Sequence, residues 1–496
     1  MNVLKLAGLP LLALVAGCAV KPEPLTVSQI AKTADRNFAL VDAEQEPVTG
    51  PIDLYEAMAR ALKYNLDYKV EMMNNALKVR ELDLSRYDML PQLVANGGYA
   101  GRSNFSGASS LSLLSRRQSL EPSTSSERNV FTGDLTLSWD VLDFGLSYVR
   151  AKQRADEVMI AEEQRRKVSS RIIEDVRTSY WRAVSAERLL TKLQTLENSV
   201  STTLTNSERL AERRLSAPLT ALTYQRELVD IQAQVRRLQR ELVIAKAQLA
   251  ALMNLKPGTQ FSLVLPDRDS ALPPIRQSGE EMMMAALHNR SELREVSYRQ
   301  RINAKELDAA LLRALPSFRG IVGANVDSNS FLFNQDWIQW GARASWNVLN
   351  VFRYPAQKKA VRAQDDLLQQ RELALTMAVI TQVHVARARY AHLTAELETA
   401  AHQMSVQGKI MNQIQAGYRA GAMSQQTELR EEMNTLVAEV KYDIAYADAQ
   451  NAYANLYSSM GVDSYGADLT GRENVQTMSA SLASLWNARM SASVPK

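Results

Sequence analysis

A single cysteine, Cys18, stands in 496 residues, so no intrachain disulfide is available and a thiolate metal cluster is excluded. Glycine and proline are sparse, at 20 and 15 residues, which disfavours a chain made mostly of turns and short loops. Beyond the first seventeen positions no run of about eighteen apolar residues occurs, so no α-helical membrane span is available. Charge of one sign is lacking too: the formal net charge is +4 with acids and bases interspersed, which argues against a nucleic-acid binder. Abundant instead are Ala, Leu, Gln, Glu and Arg, the residues of long helices. Length alone allows two or three ordinary domains.

The lone cysteine sits in LLALVAGCAVKPEP (11–24). Met1–Lys5 is short and basic, Leu6–Ala16 is apolar, and small residues precede Cys18. That is the layout of an export signal, too short to span a bilayer. Val15-Ala16-Gly17-Cys18 resembles a bacterial lipobox, which implies acylation of Cys18 as the first mature residue. Ala19 follows instead of Asp, and by the same resemblance this favours the outer membrane. An ordinary cleavable signal with an incidental cysteine is the alternative.

The chain is written twice. Moved by 225 residues, Ala61 falls on Ala286, Leu62 on Leu287, Glu81 on Glu306, Leu90 on Leu315, Pro91 on Pro316 and Gly98 on Gly323. LTLSWDVLD (135–143) matches ARASWNVLN (342–350), and LMNL (252–255) and SMGV (459–462) close the two copies. Each copy reads helix, strand, loop, strand, long helix, turn, helix. In 131–141, Thr132, Asp134, Thr136, Ser138 and Asp140 alternate with apolar residues or glycine. In 339–348, Gln339, Gly341, Arg343, Ser345 and Asn347 alternate with Trp340, Ala342, Ala344, Trp346 and Val348. Period two with one apolar face marks strands, and each is long enough to cross a bilayer when tilted. Trp139 and Trp346 fall at matching places near the helix-proximal strand ends, as an interfacial aromatic girdle requires. A small soluble sheet with a buried face is the competing reading. Four strands cannot close a barrel and lipid tolerates no open edge, so a membrane location demands several chains; three would supply twelve strands.

The helical stretches add up. From Leu146 to about Arg214 there is no internal proline, roughly 69 residues or about 100 Å. The stretches about 53–90, 219–255, 279–314 and 423–460 are each roughly half that, so two stacked end to end match one long helix. Leu228, Ile231, Val235, Leu238, Leu242, Ala245, Leu249 and Leu252 step alternately by three and four, a left-handed coiled-coil seam. Leu375, Val379, Val383, Ala386 and Tyr390 do nearly the same.

The lipobox, the duplicated unit, the Leu-Pro entering each first strand (Leu90-Pro91, Leu315-Pro316) and YRAGAMS (418–424) together resemble TolC-like outer-membrane efflux lipoproteins over about 53–462. The implied fold is mainly α with a membrane β-barrel. A helix-strand-strand-helix-helix unit is duplicated, with four strands per chain. A homotrimer then forms a 12-stranded barrel continued by a long periplasmic coiled-coil tunnel. On this reading 1–17 is the signal, 18–52 an acylated N-terminal segment and 53–255 the first repeat, with strands about 92–101 and 130–142. A linker covers 256–278, the second repeat 279–462, with strands about 317–327 and 337–349, and a tail 463–496. The implied role is passive export in outer-membrane lipid. A periplasmic adaptor (membrane fusion) protein and an inner-membrane pump of RND or ABC type complete the system. Adaptor contact falls on Ser216, Ala217 and Pro218 of one hairpin and Gly421, Ala422 and Met423 of the other. Where some relatives carry constricting aspartates, this chain has Thr427 and Arg430, beside Glu428 and Glu431. A ring of Arg430 repels cations unless it pairs with Glu431 or Glu428 of a neighbour, and charge rings set pore selectivity.

A lipid-anchored coiled-coil structural protein or adhesin without a pore explains the heptads but not the paired strands. Enzymatic readings lack a constellation. VLDFG (141–145) has no accompanying HRD or Gly-rich loop, and no Walker, Gly-x-Ser-x-Gly or Cys-x-x-Cys motif occurs. His384, His392 and His402 are not at the i,i+4 spacing of a helical metal pair, so no metal or cofactor is expected.

Overall fold

A computed structural model describes residues 22–41, 43, 45–119, 121–213, 218–267, 272, 274–462 and 473–491. The Cys18 lipobox and tip residues Ser216 and Ala217 lie outside the described residues. An N-terminal helix α1 (Val27–Leu40) precedes two units of the same order. The first is α2 (Leu54–Tyr64), α3 (Leu66–Tyr87), β1 (Gln92–Gly101), β2 (Asn129–Asp140), α4 (Val141–Glu212) and α5 (Pro218–Leu252). The second is α6 (Gly279–Asn289), α7 (Ser291–Leu312), β3 (Ser317–Asp327), β4 (Asp336–Ser345), α8 (Leu349–Arg419) and α9 (Gln425–Ser459). Helix α10 (Val475–Ser491) follows. Among the described residues no helix is long and apolar enough to cross a membrane.

The long helices α4 and α8 have 72 and 71 residues, and α5 and α9 have 35 each. At 1.5 Å per residue these are roughly 105 Å and 50 Å. Helix α4 opens where the Asp140 carboxylate accepts the backbone N–H groups of Leu142 and Asp143, so β2 ends at Asp140 and not at about 142. Polar contacts order the columns. The first half of α4 meets α3 through Asn75–Glu162 and α7 through Arg301–Asp156. Its second half meets α5 through Lys246–Glu187 and α9 through Lys192–Glu439. Helix α8 touches α7 through Gln300–Glu372 and α9 through Gln407–Glu431. The wall of one chain is therefore α3 on α5, then α4, then α7 on α9, then α8. The seam residues Leu228, Ile231, Val235, Leu242, Ala245 and Leu249 are all buried in it.

The half-length helices expected over 53–90 and 279–314 are each broken, at Asn65 and Arg290, both extended in backbone conformation. The cause is the end-to-end joint. Asn65 caps α3 by accepting the Tyr68 N–H, and its amide donates to the Leu252 carbonyl at the end of α5 (3.4 Å). Arg290 donates to the Ser458 carbonyl at the end of α9 (3.2 Å). Neither break has a helix-breaking residue to announce it.

Further segments pack at this level. Ile52 pairs with Leu263, and the buried Tyr180 hydroxyl of mid-α4 donates to the Val264 carbonyl (3.0 Å). Helix α10 packs on α2, and Trp486 of α10 meets Tyr453 edge-on while the Arg177 guanidinium lies 4.1 Å from its ring centre.

Candidate pore wall and helical tip

The four strands form one antiparallel sheet in the order β1-β2-β3-β4, with β1 and β4 as open edges. Register sorts the side chains by face. One face carries Leu93, Tyr99, Phe131, Leu135, Leu137, Trp139, Phe318, Val322, Val326, Ile338 and Trp340, filled in with Ala and Gly. The other is mainly polar, with Asn96, Thr132, Asp134, Thr136, Ser138, Asp140, Arg319, Asn325, Gln339 and Arg343, and carries the apolar Val94, Val130, Ile321 and Trp337 among them. The apolar side chains are exposed and not buried: Leu135 is 49%, Val322 51% and Trp340 84% accessible. Polar groups bond to each other across the opposite face, Asn96 to Asp134 at 3.0 Å and Thr136 to Asp134 at 2.9 Å. A soluble sheet buries its apolar face, so this polarity is inverted, as in a barrel wall with lipid outside and water within.

Trp139, on the apolar face next to the end of β2, stands edge-on to Phe144 at 5.6 Å. Trp346 lies just past β4, which ends at Ser345 and not near 349; its indole N–H donates to the Ala314 carbonyl (3.0 Å). Both rings are half exposed at the helix-proximal end of the sheet. At the other end the connection after β1 folds on itself through Ala108–Ser123 and Leu111–Gln118. The buried Asn329 of the β3–β4 loop ties the two loops, accepting the Glu127 N–H and donating to the Ser125 carbonyl.

The α8–α9 turn is a Schellman closure: the Gly421 N–H donates to the Tyr418 carbonyl and that of Ala422 to Gly417 (2.9 and 2.8 Å). Gly421 has φ +69°, the left-handed conformation a Cβ disfavours. Ser424 caps α9 by accepting the Thr427 N–H (3.2 Å), which fixes Thr427 in the first turn. Gly421, Ala422 and Met423 are exposed at this turn, and Pro218 opens α5. Arg430 pairs with Glu227 of α5 in the same chain, and Gln426 donates to the same carboxylate. The sequence offered Glu428 or Glu431 of a neighbouring subunit; within one chain the partner is Glu227. Glu431 instead accepts from Gln407 of α8 (2.8 Å). No local spacing could have revealed Glu227, which lies on another helix. Burial, and then the Glu428 carboxylate one turn away, hold Glu432 above the ordinary glutamate range. The ionised form is disfavoured in the fold. Stability from this group falls as pH rises from the ordinary glutamate range to the raised value, and is constant above it.

His384, His392 and His402 are exposed along α8, and among the described residues no cluster of three metal-ligating side chains occurs. No family model matches the chain, and no curated protein matches its sequence. Solved structures do match. The Campylobacter jejuni CmeC outer membrane channel superposes with TM-score 0.63 at 13% identity, over 92% of this chain and 95% of that one. The open-state Neisseria gonorrhoeae MtrE outer membrane channel gives 0.61 at 17%, over 82% and 88%. The outer membrane protein VceC of Vibrio cholerae gives 0.61 at 13%, over 82% and 96%. The fold is that of a TolC-like outer-membrane channel. The likeness takes in both the four-stranded sheet and the stacked helical columns, since it covers 92% of this chain.

Proposed function

We propose that the chain is one third of a trimeric outer-membrane exit duct. The observation that carries this reading is the inverted sheet with both edges open. Four strands cannot seal themselves from lipid, whereas three copies supply twelve, within the range of bacterial barrels. The helical wall has the same incompleteness. Val70, Met73, Leu77, Val229 and Val243 are exposed on the α3/α5 column, and Leu367, Leu373, Met377 and Val385 on α8. Joining these outer columns between copies covers both.

In this reading the duct is passive. Cys18 carries the acyl anchor, and the tunnel points into the periplasm. The turn at Gly421, Ala422 and Met423 meets a periplasmic adaptor, together with Ser216, Ala217 and Pro218 of the neighbouring hairpin. An inner-membrane pump of RND or ABC type drives export of drugs, metabolites or polypeptides through it. Arg430 with Glu227, Thr427 and Glu431 stand nearest the narrow end.

Purified protein in planar bilayers is expected to give discrete conductance; a lipid-anchored rod gives none. Arg430→Asp replaces a neutral pair by two adjacent carboxylates, so the reversal potential is expected to shift toward cation preference. An unchanged potential would place the pair outside the lumen. Cys18→Ser is expected to remove palmitate labelling, and persistent label in that variant sinks the lipobox assignment.

A further inference from the structure

The two repeats agree strand by strand in their pairing. An offset of 225 residues carries β1 onto β3, and one of 207 carries Trp139 and β2 onto Trp346 and β4. Applied together, these offsets turn every β1–β2 pair into an observed β3–β4 pair: Gln92–Ser138 becomes Ser317–Ser345, Asn96–Asp134 becomes Ile321–Gly341, and Gly101–Asn129 becomes Val326–Asp336. The hairpin register is thus a property of the repeat. One junction, β2–β3, joins the first repeat to the second, and in a closed ring its counterpart joins β4 to β1 of the next copy.

We propose that β4 of one subunit pairs antiparallel with β1 of a second copy in the register that repeat symmetry copies from β2–β3. This rests on the trimeric reading and specifies its seam. Thr136–Gly323 maps to Arg343 opposite Gly98, Ser138–Ile321 to Ser345 opposite Asn96, and Leu137–Val322 to Ala344 opposite Gly97. Trp139–Gly320 maps to Trp346 opposite Ala95.

Two independent features fit this register. The first is side-chain size on the lipid face. Trp340 falls opposite Gly101, Ala342 opposite Tyr99, and Trp346 opposite Ala95, so each bulky ring meets a small partner. A two-residue slip in one direction sets Trp340 against Tyr99 and Trp346 against Leu93, leaving Ala342 against Gly97 and Ala344 against Ala95 between them. A one-residue slip is worse, since it turns one strand's apolar set into the lumen. On the lumen face Arg343 meets Gly98, as Thr136 leans on Gly323, where an added Cβ would lie 2.9 Å from its hydroxyl. The second feature is the length of β4. Trp139 and Asp140 are held in β2 by pairing with Gly320 and Arg319, whereas their counterparts Trp346 and Asn347 lie beyond the end of β4. A neighbouring β1 supplies the missing partners, Ala95 and Val94, and extends β4 to Asn347.

Cysteine pairs in otherwise intact protein, oxidised in outer membranes with copper-phenanthroline, test the register. Directly opposed residues bring Cβ atoms to about 4.5–5.5 Å, close to disulfide range. Gly97→Cys with Ala344→Cys is the primary pair, because a Cβ at Gly97 has nothing within 4 Å. Asn96→Cys with Ser345→Cys probes the lumen face. Both are expected to move the monomer band to thiol-reversible dimer and trimer bands in denaturing gels. The slipped pairs Ala95→Cys with Ala344→Cys and Tyr99→Cys with Ala344→Cys are expected to stay monomeric, as are the single-cysteine controls. Preferred crosslinking of a slipped pair overturns the register, as does absence of any crosslink in protein that runs as a native trimer; either leaves the channel reading standing. Monomers in the native gel with no crosslink overturn both.

Discussion

Leu135→Arg is expected to abolish assembly into the outer membrane, whereas Gln339→Arg is expected to leave it intact. Leu135 lies near the centre of β2 on the apolar face and is half exposed in the isolated chain. If lipid surrounds that face, a midplane Arg costs about 2–4 kcal/mol in each subunit. Three subunits meet the same cost in one barrel. If water surrounds it, an exposed Leu→Arg change falls within about 0.5 kcal/mol of neutral. Gln339 is on the opposite, polar face of β4, where a cation meets lumen water in either case. The measurement is the heat-modifiable trimer band in outer-membrane fractions. Normal amounts of Leu135→Arg trimer would remove the argument for a lipid-facing sheet, because size and helical content cannot account for such tolerance.

The contrast between these two positions also explains what could be read without coordinates. Face alternation at 131–141 and 339–348 is local and has period two, so it is visible as a string, and the copy at 207 residues makes it more than chance. The seam from Leu228 to Leu249 was visible for the same reason, with period 3.5. Less legible were features made by contacts between distant segments. Asn65 and Arg290 break helices whose local pattern is continuous, because each must satisfy the carbonyls at the end of a helix stacked against it. Glu227 finds Arg430 only through the packing of α5 on α9. Helix α10 carries a legible apolar stripe, Val475, Met478, Leu482 and Trp486, but its docking place is set by Arg177 and Tyr453, far off in sequence.

The joint at the end of α9 should be the least forgiving point of the wall. Gly461 has φ +67°, and a Cβ built there would lie 2.8 Å from the carbonyl carbon and oxygen of Asn289 and 2.9 Å from the nitrogen of Arg290. These are backbone atoms at the α6–α7 break and cannot swing aside. Gly461→Ala therefore meets two costs, the left-handed conformation at roughly 1–2 kcal/mol and a clash that must part α7 from α9. The first repeat supplies the control. Asn254, the counterpart of Gly461, holds φ +56° with a side chain in place, and its amide donates to the Val41 carbonyl (2.8 Å). Asn254→Gly loses about 1 kcal/mol of hydrogen bonding and gains backbone ease, so its net effect is small. Gly461→Asn separates the two terms at the second joint: asparagine tolerates the dihedral but not the contact. The expected order of thermal stability is wild type, then Asn254→Gly, then, well below, Gly461→Asn and last Gly461→Ala, which meets both costs. Were Gly461→Asn to melt with the wild type, only the dihedral would matter, and the two halves of the wall would not be locked at this joint.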